Sequence, residues 1–71
     1  MPLPFAPILT ALRIVKVRTD AKVAKHLASL GIVEGGEVEV LESKGGSTIV
    51  RVKGGRLALD ANVSRGILVA A

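Results

Sequence analysis

The only histidine, His26, is the residue whose chemistry first suggests a metal or proton-transfer site. An iron or zinc site needs several nitrogen, oxygen or sulfur ligands that converge on one point and are held there by further hydrogen bonds. The chain contains no cysteine, and the nearest carboxylate along the sequence, Asp20, lies more than a helical turn before His26. Lys22 and Lys25 lie closer. We therefore predict no metal site and interpret His26 as a solvated residue.

Serine catalysis requires an adjacent base that is itself oriented by a third group. Ser29 is the serine closest to His26, and no carboxylate in the sequence is placed to orient that histidine. The chain also lacks the G-x-x-x-x-G-K-[ST] pattern of a phosphate-binding loop, and its glycine pairs are explained as turns. The sequence thus predicts no catalytic residues, no cofactor and no nucleotide binding, and the protein is expected not to be an enzyme.

Basic residues offer the remaining candidate site. The chain has 10 Lys and Arg residues against 6 Asp and Glu, a net charge of +4, which favours an acidic partner surface, an anionic membrane face or nucleic acid. The residues predicted to form a partner-binding face are Lys16, Arg18, Lys22, Lys25 and His26. The alternative, a solvated surface that keeps the protein soluble, stays open. Arg51 and Lys53 are weaker candidates, because Glu39 and Glu37 are expected opposite them.

A short helix would carry most of this face. Asp20 is a candidate N-cap and Gly31 a candidate C′ residue, which together predict a helix over Ala21–Leu30. Its apolar residues fall on one side and its lysines on the other. A helix of under three turns is not stable alone, so this one must pack against the rest of the chain.

Strands are predicted on both sides of the central region. Arg13–Arg18 is rich in β-branched residues and predicts the first strand, with Val15 and Val17 on one face and Lys16 and Arg18 on the other. Near the other end, Ala61–Arg65 predicts a helical turn, and Ile67–Val69 predicts the last strand.

The central region itself predicts a β-meander. Glu37–Glu42 and Thr48–Lys53 alternate apolar and charged residues, and a hairpin closed over Lys44-Gly45-Gly46 places their valines on one face. The expected cross-strand pairs are Val40 with Val50, Val38 with Val52, Leu41 with Ile49, Glu39 with Arg51, and Glu37 with Lys53. Gly54-Gly55 is the expected turn of a second hairpin, because a type I′ turn needs positive φ at both positions. The pairs expected from that turn are Val52 with Leu57 and Val50 with Leu59.

The apolar N-terminal segment Leu3–Leu9 is expected to pack across the open end of a barrel; exposure of Leu3 and Phe5 as an anchor for a partner is the alternative. The charge-free stretch Met1–Leu12 is shorter than the ~20 residues of a spanning helix and lacks a basic leader. We therefore predict no membrane insertion and a cytoplasmic location. The fold predicted for residues 1–71 is a single, mainly all-β domain, a small five- to six-stranded SH3-like barrel with one short amphipathic helix in the first long connection.

In this order and spacing, the segments resemble the FeoA family, named for ferrous iron transport protein A. The resemblance consists of an apolar opening, an Ile/Val strand, a basic helix, a Leu-Gly-Ile step, a glycine turn before a valine-rich hairpin, a basic-Leu-Ala-Leu strand and a final Ile-x-Val strand. The segments are Met1–Pro7, Ile14–Val17, Lys22–Leu30, Leu30-Gly31-Ile32, Glu34–Val38, Arg56–Leu59 and Ile67–Val69. Two positions depart from the family: Leu9 stands where members often have Gly, and the helix carries Lys22, Lys25 and His26 where members have a denser arginine run.

The resemblance implies a small cytosolic component of a bacterial ferrous-iron uptake system that binds FeoB, a membrane transporter with a cytosolic GTP-binding domain. Transition-metal binding is implied only as a general family property. One alternative is a nucleic-acid-binding SH3-like or Sm-like domain, suggested by the pI near 10.2; it is disfavoured because bases stack on aromatic side chains and Phe5 is the only one. Another is a free-standing relative of the C-terminal domain of metal-dependent repressors. Weak self-association also stays open.

Overall fold

A computed structural model describes every residue from Met1 to Ala71. The elements in chain order are β1 Ala11–Val17, α1 Ala21–Ser29, β2 Glu37–Lys44, β3 Ser47–Val52, β4 Gly55–Leu59, α2 Ala61–Gly66 and β5 Ile67–Ala70. A short 3-10 helix, Leu3–Phe5, precedes them. The mainly β class and the helix in the first long connection are confirmed. Neither α-helix is long and apolar enough to span a bilayer.

All five strands form one antiparallel sheet in the order β4-β3-β2-β1-β5. No ladder joins the edge strands β4 and β5, so closure into an SH3-like barrel stays a prediction. The N-terminal segment is tied to the sheet by two isolated bridges, Pro2 with Leu68 and Ile8 with Val40.

One hydrophobic core lies against the inner face of the sheet. Every strand contributes to it, α1 contributes Leu27, and the N-terminal segment contributes Leu3 and Ala6. The core residues are Leu3, Ala6, Leu12, Ile14, Leu27, Ile32, Val38, Val40, Val50, Val52, Leu59, Ile67 and Val69. The valines predicted to face inward from the first hairpin are all among them.

The predicted limits of α1 are confirmed to within one residue. The Asp20 carboxylate accepts a hydrogen bond from the Val23 N–H at 2.9 Å, which satisfies one of the free donors at the helix start. Leu30 is the C-cap, so the helix ends at Ser29. Gly31 follows with φ +100°, the left-handed conformation that glycine adopts at low cost after a helix.

The first hairpin has the predicted register next to the core. The pairs Glu39–Arg51 and Val40–Val50 are confirmed. The predicted pair of Leu41 with Ile49 is wrong, because a β-bulge after Val40 inserts Leu41 and brings Glu42 opposite Ile49. The turn is correspondingly shorter, with Lys44 paired to Ser47 around the two glycines.

Of the two predicted charge pairs on the outer face, one forms. The Arg51 guanidinium lies 3.1 Å from the Glu39 carboxylate. Glu37 and Lys53 form no ion pair, and Lys53 lies beyond the end of β3 with φ +49°.

The second hairpin turns one residue earlier than predicted. Lys53 and Gly54, with φ of +49° and +77°, are its central residues, so both have the positive φ of a type I′ turn. The observed pairs are Val52–Gly55, Val50–Leu57 and Thr48–Leu59, and the predicted pairs Val52–Leu57 and Val50–Leu59 are wrong. The observed partner of each β3 residue therefore lies two residues earlier along β4 than predicted. Because side chains alternate with a period of two, the apolar residues keep the face that was predicted.

The prediction that Val15 and Val17 share one face of β1 is wrong. The register against β5 shifts between Ile14 and Lys16, which leaves Val15 as the extra residue of a bulge and 49% exposed. Leu12 and Ile14 occupy the core positions before the bulge, and Val17 packs against the core after it.

Candidate partner-binding site

The five basic residues selected from the sequence are all exposed. Lys22, Lys25 and His26 lie on α1 with the i, i+3, i+4 spacing that brings side chains onto one helical face. We call these three residues the α1 basic face. Since Leu27 directs the opposite side of the helix into the core, a partner could contact this face without disturbing the packing.

Lys16 and Arg18 come from the strand and the connection just before α1. The Arg18 N–H donates to the carbonyl of Gly66 at 2.7 Å, which ties this connection to the end of α2. No hydrogen bond or ion pair links the side chains of Lys16 or Arg18 to the α1 basic face. The structure thus joins three of the five residues on one face and places the other two on the adjoining segment.

Charge on these residues is not neutralised by direct contact. The single ion pair of the structure is Arg51–Glu39, so Lys16, Arg18, Lys22 and Lys25 have no carboxylate partner. The acid nearest to them in sequence, Asp20, accepts the backbone N–H of Val23 instead. A surface with unpaired lysines of this kind attracts acidic partners and raises their association rate.

The structure contains no group of three or more His, Asp or Glu side chains close enough to hold a metal ion. The Ser29 hydroxyl donates to the backbone carbonyl of His26, not to its imidazole. His26 is exposed at the last turn of α1, as expected of a solvated residue.

The N-terminal segment divides between the two alternatives considered for it. Leu3 is fully buried and Ala6 nearly so, which confirms packing against the core for these residues. Phe5 is 77% exposed and Leu9 65% exposed, so the core prediction is wrong for them. Leu9 adopts φ +56°, a conformation that L-residues rarely adopt, and this explains why glycine suits that position.

Sequence reasoning missed a groove on the outer face of β1–β3, with a volume of about 310 Å³. Its lining residues are Ala11, Glu37, Val38, Glu39, Arg51, Lys53 and Gly54. Ala11 lies opposite Glu39 in the sheet, and its small side chain leaves a depression beside the Arg51–Glu39 pair. The strand was predicted to begin at Arg13, two residues after its observed start, so Ala11 was not expected opposite Glu39.

Together these features define a class of protein: a small, mainly β domain with an exposed basic helix. The FeoA domain model matches residues 1–71, and the chain belongs to the FeoA family. The resemblance inferred from the sequence is therefore confirmed.

Solved structures of the family have the same fold. A crystal structure of an iron uptake regulatory protein, FeoA, has a TM-score of 0.84 and 24% identity, over 97% of this chain and 93% of that one. The solution structure of FeoA from Chlorobium tepidum has a TM-score of 0.83 and 25% identity, over 97% and 68%. That of iron(II) transport protein A from Clostridium thermocellum has a TM-score of 0.84 and 20% identity, over 97% and 44%. Among curated proteins, none matches the chain significantly.

Proposed function

We propose that this chain is a cytoplasmic accessory protein of a bacterial ferrous-iron uptake system, and that it acts by binding the cytosolic part of an FeoB-type transporter, not by catalysis. The observation that carries the proposal is the FeoA match over residues 1–71, which supports a role in iron(II) transport. The three solved structures, which are named for iron uptake, for FeoA and for iron(II) transport, support the same role.

Binding would use the α1 basic face, with Lys16 and Arg18 beside it. These lysines carry charge that no carboxylate of the chain neutralises. An acidic surface on the transporter's cytosolic part would be attracted to them at long range, which speeds association and favours this partner over others. Leu27 packs α1 against the core, so a partner could contact this surface with α1 in its place.

The test is an amide-resolved NMR titration of the labelled protein with the GTP-binding domain of the cognate transporter, with and without nucleotide. We expect shifts concentrated at Lys16, Lys22, Lys25 and their neighbours. The double variant Lys22→Glu/Lys25→Glu should weaken binding about tenfold or more, equivalent to about 1.4 kcal/mol. The matched control Lys44→Glu/Arg65→Glu makes the same change in net charge elsewhere and should bind nearly as the parent does.

A single-stranded oligonucleotide serves as the second titrant. The net charge of +4 and the unpaired lysines favour nucleic acid as the second candidate. Shifts with the oligonucleotide alone, weakening steeply with salt, would replace the proposed function by nucleic-acid binding. Equal weakening by both double variants would show that net charge, and not the α1 basic face, governs binding. No shift with the transporter domain would contradict the proposed partner.

A further inference from the structure

The two edges of the sheet differ in how they are covered. The outer edge of β5 pairs with the N-terminus: the Val69 N–H donates to the Met1 carbonyl at 2.8 Å, and the Met1 amino group donates to the Val69 carbonyl at 2.8 Å. The other edge strand, β4, pairs only with β3. An uncovered edge is a template for one more strand.

The position of the second turn decides which backbone groups of β4 are free. Since Lys53-Gly54 is a two-residue turn, Val52–Gly55 is a hydrogen-bonded pair, and such pairs alternate along an antiparallel ladder. Leu57 and Leu59 therefore direct their N–H and C=O groups towards β3. Arg56 and Ala58 direct theirs outward, and no turn, loop or cap hydrogen bond in the structure uses them.

Side chains along this edge favour a particular kind of incoming strand. Arg56 lies opposite Arg51 on the outer face, and Arg51 is already paired with Glu39 at 3.1 Å. The Arg56 side chain is exposed. Since Glu39 is paired with Arg51, the Arg56 guanidinium has no carboxylate partner and lies beside a like charge. On the inner face Leu57 is half-buried, so part of its side chain is open to a new apolar neighbour.

We propose that β4 accepts an extended acidic segment of a partner protein as a sixth strand, with a carboxylate opposite Arg56 and an apolar side chain opposite Leu57. The backbone of the segment would bond to Arg56 and Ala58, as in other peptides that extend a sheet. Opposite charges directly across a strand pair are favourable and like charges are unfavourable. This surface is separate from the α1 basic face, and the proposal does not depend on the transporter.

A second copy of the chain fits the edge less well. The outward groups of two antiparallel β4 strands can meet with Arg56 opposite Arg56, with Arg56 opposite Ala58, or with Ala58 opposite Ala58. In the first register the two guanidiniums are directly opposed, and in the second they are diagonal neighbours, still within reach of long side chains. In the last register only one residue of each copy pairs, and Arg56 faces Asp60, whose carboxylate already accepts the Val63 N–H.

The test uses a blocked peptide of alternating glutamate and valine, with a lysine-valine twin as its control, and measures amide hydrogen exchange and chemical shifts of the whole protein. We expect the glutamate peptide to bind at least about tenfold more tightly than the lysine peptide. At saturation it should slow exchange of the Arg56 and Ala58 amides at least tenfold. Ala58→Pro should abolish binding and still fold, because its N–H points away from the ladder and proline is tolerated at such edge positions.

Charge reversal supplies the matched pair of variants. Arg56→Glu should invert the preference towards the lysine peptide, and Lys44→Glu, the same change at the far end of β2, should leave it unaltered. Equal binding of both peptides, protection away from β4, or no binding at millimolar peptide would overturn the proposal. Protection of Arg56 and Ala58 that grows with protein concentration alone would also overturn it, in favour of a second copy.

Discussion

Replacement of Gly66 by alanine should severely destabilise the fold. A β-carbon at Gly66 would lie 2.0 Å from the carbonyl oxygen of Arg18, far inside the shortest contact that β-carbons make. The added β-carbon and the Arg18 carbonyl are both fixed to the backbone, so neither can rotate away as the end of a flexible side chain would. The Arg18 N–H also donates to the Gly66 carbonyl at 2.7 Å, so any separation of the two segments breaks this bond.

The cost can be estimated from two contributions. Overpacking of a close contact costs about 1–3 kcal/mol and occasionally more. Loss of the Arg18–Gly66 hydrogen bond adds about 0.5–1.5 kcal/mol. The expected loss is therefore roughly 2–4 kcal/mol, a large part of the stability of a domain of this size. At roughly 4–8 °C per kcal/mol, Tm should fall by about 10–30 °C.

Thermal unfolding followed by circular dichroism measures this effect, with Gly55→Ala as the control. A β-carbon at Gly55 meets only the Val52 carbonyl oxygen at 3.7 Å, an ordinary contact, and Gly55 does not have positive φ. That variant should melt within a few degrees of the parent protein, or slightly above it because the unfolded chain loses freedom. If Gly66→Ala melts as Gly55→Ala does, the close approach of Arg18 to Gly66 is not a constraint on the fold.

Three further substitutions test local features. Leu9→Gly should melt at the Tm of the parent protein or a few degrees above it. Relief of the strain at φ +56° is worth about 1–2 kcal/mol and exceeds the entropy cost of glycine. Leu9→Ala, which keeps the β-carbon, should show no such gain. Lys53→Asn should raise the urea midpoint, by roughly 0.5 kcal/mol in free energy, because asparagine tolerates the positive φ of this turn; a lower midpoint would contradict the turn assignment. Ser64→Ala should cost about 1–3 kcal/mol, because the buried Thr48 hydroxyl loses its partner at 2.9 Å. Thr48→Val should cost less in the same urea titration, since Ser64 still donates to the Leu59 carbonyl, and equal losses would refute this reasoning.

Much of the local structure could be predicted because short-range chemistry decides it. Asp20 and Gly31 delimit α1 through a cap and a positive φ, both of which depend on a few adjacent residues. The face of each hairpin strand follows from alternation, so Val40 and Val50 are buried as expected. The candidate site on α1 was predictable for the same reason, since helical spacing alone brings Lys22 and its neighbours together.

Features that depend on register were not predictable in the same way. A shift of two residues in the second hairpin leaves every side chain on its predicted face, so alternation could not distinguish a turn at Lys53-Gly54 from one at Gly54-Gly55. The free edge at Arg56 and Ala58 follows from that register and was missed with it. The groove beside Ala11 was missed because it depends on which residues of β1 and β2 are opposed.

The sequence by itself determined the order of elements and which residues of most strands face the core, because caps and periodicity are properties of neighbouring residues. The order and spacing of its segments also carried the resemblance to the FeoA family, which the family model shows. Only the tertiary structure decided where the bulges at Val15 and Leu41 lie, since a bulge depends on how two strands pair. It also decided that Leu3 is buried while Phe5 is exposed. The core has room for a limited volume of side chains, and which apolar residues occupy it is settled only when the whole chain has packed.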